Sequence, residues 1–436
     1  YKKPNIIVIL VDDLGAADLG YAQEKFITPN IDQLKNSSVF FPNARVTTPT
    51  CSPSRAILLT GKSALDHRVI RHIPSTSEAD GFDANGVTTK EFNYWPKDPA
   101  HVPSKNWLEL PQVTYAEALK KAGYYNVFIG KWHLGHDTYY PRQQGFDMQY
   151  FVTNAGAPTN YYPPYFSKSS DVKFDQPYLT DSLTTYACNF IEQYKKEDPF
   201  QLSLFYYNVH GPHQGRKDLV KLYLKNGLTK VDAEYAAMIT SVDESIGKVV
   251  EALKRTGQWG NTVLFFIGDQ GGYFNNIPYR GSKMKETLFE GGSRVPFFIH
   301  APMIFKAQTI QQAVCTNDVF PTIMNLAGME CDKPDSIKES LSLLPLIEKG
   351  RLSHRIIYSY RAYESLYASL LDGDWKFLAY RDGKTELYNL KNDISEQYDI
   401  SAQYPQKISQ FIKKLKKWEI AKNVQQYSPF FTVTNY

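Results

Sequence analysis

Several short stretches of the chain end in side chains capable of chemistry. NIIVILVDD (5–13) ends in two adjacent carboxylates, Asp12 and Asp13, and TVLFFIGDQGG (262–272) reaches Asp269 and Gln270. Neighbouring carboxylates repel, so both stay ionised at neutral pH only when solvated or bridged by a cation. Alone, such a pair is ordinarily a solvated turn; beside a second acidic strand end, a metal is the favoured reading. Carboxylate and amide oxygens suit a hard cation, Ca²⁺ or Mg²⁺, rather than zinc. YNVFIGKWH (125–133) brings Lys131 and His133, and LSLFYYNVH (202–210) brings His210. TTPTCSPSRAILLTG (47–61) holds a single cysteine, Cys51, with Pro53 and Arg55 close behind it. A helix from about Ser52 to Gly61, with Pro53 in its first turn, puts Cys51 at a helix N-terminus, where free N–H groups favour negative charge. A buried inert thiol is the alternative for such a residue. RGSKMKETLFEGGSRVP (280–296) adds Lys283 and Lys285 ahead of Glu290-Gly291-Gly292, which reads as a tight turn.

The elements that must position these groups follow from periodicity. The four apolar runs are rich in β-branched and aromatic residues, as buried strands are, and helical patterns alternate with them, so the fold class is α/β with a large, mainly parallel sheet flanked by helices. In open sheets of this kind, ligands bind beyond the carboxyl ends of the strands, so four runs deliver their polar ends to one edge. Helices are expected at 114–124, opened by a Thr114/Glu117 capping box, at 181–197 and at 232–255. Residues 71–112 and 155–173 lack periodicity and are rich in Pro, Gly and aromatic residues, the composition of long functional loops. Beyond residue 350, short alternating runs separated by Asp372-Gly373 and Asp382-Gly383 predict an antiparallel sheet, followed by a basic amphipathic helix at about 404–422. Two units are therefore expected: a catalytic α/β domain, 1–350, and a smaller C-terminal α+β subdomain, 351–436.

Composition narrows the function classes. With 436 residues, 42% hydrophobic, the chain has ample material for a large core. No apolar run reaches the length of a membrane span. A net charge of +4 spread along the chain suits an anionic small substrate better than nucleic acid. The four cysteines show no CxxC spacing, which argues against a zinc site or disulfide scaffold. Cys315 and Cys331 can pair only in an oxidising compartment, and buried free thiols are the alternative.

CSPSR with AILLTG resembles the signature of the type I sulfatases, the formylglycine-dependent branch of the alkaline phosphatase superfamily. PNIIVILVDDLG, GKWHLG, VHGPH, GDQGG, KETLFEGGSRVP and TELYNLKNDISEQYDI are similar to further segments of that family, in the same order. The resemblance implies that a maturation enzyme converts Cys51 to formylglycine, whose hydrate is a geminal diol. A serine attacking a sulfate ester would keep the sulfate, whereas a diol has a second hydroxyl with which to expel it. It also implies that Asp12, Asp13, Asp269 and Gln270, with the group at Cys51, hold a Ca²⁺ or Mg²⁺ ion. Arg55 would orient the diol, Lys131 and Lys285 would clamp the sulfate, His210 would protonate the leaving alcohol and His133 would act as base. Gln270 departs from the family's commoner, smaller ligand. The lysine is assigned to Lys285 by counting back from Glu290, with Lys283 in reserve.

For the alcohol carrying the sulfate, Arg71, His72, Trp95, His101, Trp107, Asn154, Asn160, Tyr161 and Tyr162 are the candidates. They suit stacking on and hydrogen bonding to a sugar. A sulfated saccharide is the expected substrate, with no nucleic acid partner. A phosphodiesterase or phosphonate hydrolase of the same superfamily, or a non-catalytic binder of sulfated glycans, are the rival readings. A periplasmic or secreted location with the signal peptide removed follows from such a substrate, and a single sequon, Asn36-Ser37-Ser38, suits a bacterial source.

Overall fold

The computed structural model describes residues 3–74, 90–166, 177–274, 276–330 and 339–424. Its principal sheet has eight strands: β1 (Asn5–Val11), β2 (Val39–Phe40), β3 (Tyr125–Gly130), β4 (Met148–Tyr150), β5 (Phe200–Phe205), β6 (Thr262–Gly268), β7 (Phe297–His300) and β8 (Gln308–Thr309). Their spatial order is β8-β2-β7-β6-β1-β5-β3-β4. The four strands expected from the apolar runs, β6, β1, β5 and β3, are adjacent and mutually parallel. Val11 lies opposite Gly268, Leu10 opposite Phe205, and Gly130 opposite Phe205, so the four carboxyl ends finish level. Strand β7 runs antiparallel to β6 and turns one flank of the sheet away from the parallel pattern.

All seven residues of β1 are buried, as in a strand covered on both faces. Its side chains alternate between two cores. Ile7, Ile9 and Val11 face a cluster with Leu183, Ala187 and Ile246, whereas Ile6, Val8 and Leu10 face one with Ala56, Leu59 and Leu119. The helices responsible are α1 (Cys51–Thr60) and α2 (Tyr115–Lys121) on one face, and α3 (Leu179–Gln193) and α4 (Lys230–Arg255) on the other. Helix α2 opens with the expected capping box, in which Thr114 Oγ1 accepts from Glu117 N–H and Glu117 Oε2 accepts from Thr114 N–H. Helix α1 begins earlier than expected. Thr50 is its N-cap and Cys51 its first helical residue, so Ser52 is free to accept a hydrogen bond from Ile73 N–H at 3.0 Å.

The C-terminal segment forms the antiparallel sheet expected, β9 (Ile357–Tyr360), β10 (Leu366–Asp372), β11 (Trp375–Tyr380) and β12 (Thr385–Asn389), in sequence order. Helix α5 (Pro405–Ala421) covers it through Phe411, Leu415 and Trp418. Leu65, Ile70 and Val102 of the α/β part join that core, so the two parts share buried surface. They also share charge. Glu290, expected in a tight turn, starts a short helix (Glu290–Ser293) and is fully buried. Its carboxylate accepts from Arg45 Nε at 3.0 Å, Arg294 Nε at 2.7 Å and, from β11, Lys376 Nζ at 2.9 Å. Lys376 also meets Glu396 at 2.8 Å, and Glu396 accepts from Glu290 N–H. Burial alone would raise the Glu290 carboxyl, but Arg45, Lys376 and Arg294 hold it well below the usual range. Glu290→Ala would leave Arg45 and Arg294 buried with no carboxylate partner among the described residues and Lys376 with Glu396 alone, and breaking such a network typically costs about 3–5 kcal/mol. The expected result is a large fall in the urea midpoint, read by circular dichroism, with Glu290→Gln intermediate.

Candidate active site

The level strand ends bring the expected residues into one pocket. Asp12 and Asp13 follow β1, Lys131 and His133 follow β3, and Asp269 and Gln270 follow β6. The left-handed backbone at Asp13 (φ 59°) and His133 (φ 57°) turns both side chains at the point where their strands stop. Such conformations cost about 1–3 kcal/mol in a residue with a Cβ and gather at functional sites. Gly130 (φ 110°) is required where β3 meets β5, because a Cβ there would lie 1.9 Å from the Phe205 carbonyl oxygen.

Carboxylate oxygens of Asp12, Asp13 and Asp269 lie within 4.8 Å of one another, all buried. Asp269 Oδ1 accepts from Asp13 N–H at 2.9 Å and Oδ2 from Arg55 Nη2 at 2.9 Å. Arg55 also donates to the Lys131 carbonyl at 2.7 Å and approaches Asp12 at 3.7 Å, tying α1 to two strand ends. Gln270 Nε2 lies 2.6 Å from Asp13 Oδ1 and 3.1 Å from Cys51 Sγ. The amide oxygen and nitrogen exchange places on a half-turn, so this side chain can present an oxygen to the same point. Three buried carboxylates and a reversible amide form a hard-oxygen donor set that fits Ca²⁺ or Mg²⁺. Burial pushes the Asp269 carboxyl well above its ordinary range and raises that of Asp13, whereas at Asp12 burial is overcome by Lys131 and Arg55, which hold the carboxyl low.

Cys51 occupies the first turn of α1, 3.7 Å from Asp12 Oδ1. Lys131 pairs with Asp12 and Lys283 with Asp13, each in close contact. Burial and Asp12 push the Cys51 thiol up, yet Lys131, Lys283 and His210 bring it down to about 5, so the pocket favours an anion at this atom. The lysine assignment is corrected here. Lys283, not Lys285, reaches the site; Lys285 is exposed, because Ser282 N–H donates to the Lys285 carbonyl and closes a turn that leaves the Lys285 side chain outside the pocket.

Both histidines are held at one nitrogen. His133 Nε2 lies 2.6 Å from the Ile73 carbonyl, which can only accept, so Nε2 carries the proton and the buried Nδ1 is left with a free lone pair. Burial, with Lys131, holds His133 neutral well below its usual pKa, the state a base requires. The Ile73 peptide is fixed from its other side by Ser52 Oγ. His210 Nδ1 donates to the Gly211 carbonyl at 2.8 Å, and its Nε2 is 4.0 Å from Asp13 Oδ2. Burial is the largest influence and lowers its pKa, but Asp13 together with the hydrogen bond to Cys51 raises it on balance, which favours a protonated ring able to donate.

The residues expected to meet a sugar divide into two groups. His72 and Trp95 stand together at the rim, with ring centroids 5.4 Å apart. Arg71 and Tyr161 are corrected to structural roles, since both are fully buried. Arg71 donates to the carbonyls of Asn93, Val102 and Ala362 and pairs with Asp98, binding the loop to the C-terminal segment. Tyr161 donates to the carbonyls of Tyr207 and His210 and so supports the His210 segment. Trp107 stacks on Tyr139 at 5.0 Å, and Asn154 Oδ1 accepts from Gly135 N–H. Tyr162 packs under Lys217, Asn160 accepts weakly from Gln214, and His101 is exposed in a turn on the Asp98 carbonyl. Tyr363 and Arg361, beside His72 and Trp95, were missed, because they follow β9 on a stretch whose local pattern reads only as a strand end. Cys315 is buried beside Asp318, while Cys331 lies outside the described residues.

A parallel sheet whose strand ends and adjoining loops gather carboxylates, two lysines and two histidines around a nucleophile position at a helix N-terminus defines an enzyme that hydrolyses a charged ester, on the alkaline phosphatase-like plan. Residues 4–329 match the family model described as Sulfatase. The chain belongs to the sulfatase family and is a sulfuric ester hydrolase. It is 31% identical over 400 residues to the N-acetylgalactosamine-6-sulfatase of Homo sapiens, covering 85% of this chain and 70% of that one. It is 28% identical over 518 residues to a sulfatase of Formosa agariphila, covering 97% and 90%. Among solved structures it resembles Ps i-CgsB in complex with k-i-k-neocarrahexaose, at TM-score 0.80 and 30% identity, covering 95% of this chain and 92% of that one. No described helix is long and apolar enough to cross a membrane.

Proposed function

We propose that the chain hydrolyses a sulfate ester on a saccharide, with Cys51 matured to formylglycine and a Ca²⁺ or Mg²⁺ ion held by Asp12, Asp13, Asp269 and Gln270. The observation that carries this reading is the position of Cys51, at a helix N-terminus beside the lysine–carboxylate pairs of the site and in contact with both Asp12 and Gln270. Similarity to an N-acetylgalactosamine-6-sulfatase and to a structure holding a neocarrahexaose supports a saccharide. When bound, the cation would lower the pKa of a hydroxyl beside it and draw charge from the sulfate oxygens. The hydrate of the aldehyde supplies one hydroxyl to attack and another to expel sulfate.

The remaining work falls to side chains present in the fold. Lys131, just after β3, and Lys283, from the loop ahead of the Glu290 helix, offer ammonium donors to sulfate oxygens as charge accumulates on them. Arg55, held by Asp269 and the Lys131 carbonyl, fixes the orientation of residue 51. His210 presents Nε2 toward the pocket and can donate its proton to the departing alcohol oxygen, while His133 Nδ1 can accept one from residue 51. A sulfated polysaccharide lies outside the cytoplasm, so a periplasmic or secreted location accompanies this reading.

The test is sulfate release from matured protein against a panel of sulfated mono- and oligosaccharides, with aryl sulfates and phosphate diesters alongside. Turnover of at least one sulfated saccharide is expected, with far slower phosphodiester cleavage. Release from aryl sulfates alone would overturn the saccharide assignment, and an intact thiol at Cys51 in active protein would overturn the nucleophile.

A further inference from the structure

Three rings meet at the rim of the pocket. His72 and Tyr363 lie nearly parallel, with centroids 5.7 Å apart and planes at 11°, and Trp95 meets Tyr363 edgewise at 5.4 Å. The Tyr363 hydroxyl accepts from His72 N–H at 2.8 Å and lies 2.6 Å from His72 Nδ1. His72 adjoins Ile73, whose carbonyl holds His133, so this cluster is continuous with the wall of the catalytic pocket.

Behind these rings stands a cation with little to do. The Arg361 guanidinium carbon lies 4.3 Å from the centroid of the Tyr363 ring, and its side chain is 13% exposed. Its carboxylate partner is Glu364, 2.7 Å from Nη1, and that carboxylate is itself 47% exposed. Arg361 Nε is buried without a hydrogen-bond partner. Arg71 Nε is likewise without a partner, but its terminal nitrogens donate to three carbonyls and a carboxylate, whereas those of Arg361 meet Glu364 alone among the described residues. A guanidinium fork matches a sulfate or carboxylate bidentately, and the half-exposed carboxylate of Glu364 on one terminal nitrogen is a partner that a ligand anion can displace. Trp95, partly exposed and edge-on to Tyr363, supplies the flat apolar surface on which a sugar face packs.

We propose that Arg361, with Tyr363 and Trp95, forms a subsite for a second anionic group, a sulfate or carboxylate, on the saccharide whose sulfate ester is cleaved. This rests on the saccharide reading above. The residues that choose the substrate then come in part from the C-terminal segment, whereas those that cleave it come from the parallel sheet.

The experiment takes the sulfated disaccharide released fastest in the panel, in one form with a single sulfate and one with an additional sulfate or carboxylate, and measures kcat/KM for each. Wild-type protein is expected to favour the doubly anionic form. Arg361→Ala should lower kcat/KM on that form by about 10- to 100-fold more than on the singly anionic form, the scale of a hydrogen bond to a charged group. Arg361→Lys should recover part of the difference. Glu364→Gln, which frees the guanidinium without removing it, should widen the wild-type preference and keeps the test decisive if Arg361→Ala folds poorly. Equal losses on both forms, or no change in preference in Arg361→Ala and Glu364→Gln alike, overturn the subsite while leaving saccharide hydrolysis intact. Failure of wild-type protein to release sulfate from any saccharide overturns the saccharide reading and the subsite with it.

Discussion

Cys51→Ser, prepared alongside matured wild-type protein, is expected to lose steady-state turnover by on the order of 10⁴-fold or more, the scale on which removal of a nucleophile acts. The physical content lies in what remains. Serine keeps a hydroxyl at the first turn of α1, inside the field of Lys131 and Lys283, so attack on a sulfate ester is still geometrically available. Having attacked, it has no second hydroxyl with which to expel the sulfate. One equivalent of alcohol should therefore be released, and the peptide carrying residue 51 should gain the mass of SO3. Cys51→Ala should give neither burst nor adduct. Sustained turnover by Cys51→Ser would show that a simple hydroxyl suffices and that the aldehyde is not required.

The second large effect separates two neighbouring lysines. Lys283→Ala is expected to reduce kcat/KM by about 10²- to 10³-fold, as loss of a single donor to a developing oxyanion typically does. It also leaves Asp13 without its close cationic partner. Lys285→Ala, at an exposed position, should stay within about twofold of wild type. Parallel kinetics on one aryl sulfate decide the matter, and the reverse ranking would return the sulfate contact to Lys285.

That pair marks where the sequence was legible and where it was not. The parallel strands could be read because each is a buried apolar run closed by a polar group, and the register that levels their ends follows once they pair in parallel. The placing of Asp12, Lys131, His210 and Asp269 at one edge needed nothing else. Lys283 and Lys285 sit two residues apart in a turn, and which one points inward depends on the hydrogen bond from Ser282 N–H to the Lys285 carbonyl, which spacing does not encode. Arg71 was misread for a related reason. A charged residue on an irregular loop suggests solvent or ligand, yet here its guanidinium replaces the missing regular hydrogen bonds of the loop by collecting the carbonyls of Asn93, Val102 and Ala362. Long-range partners such as Lys376 with Glu290, or Tyr363 with His72, join positions far apart in sequence, so no local pattern announces them.

The buried charges around Glu290 have a thermodynamic corollary. Lys283, at the mouth of the pocket, and Glu290, locked to β11 through Lys376, belong to one short stretch of chain. Docking of the C-terminal sheet and formation of the anion clamp are thus two equilibria that share a segment. Linkage makes any such coupling reciprocal: by whatever free energy docking changes the grip of Lys283 on an anion, the bound anion changes the docking by the same amount.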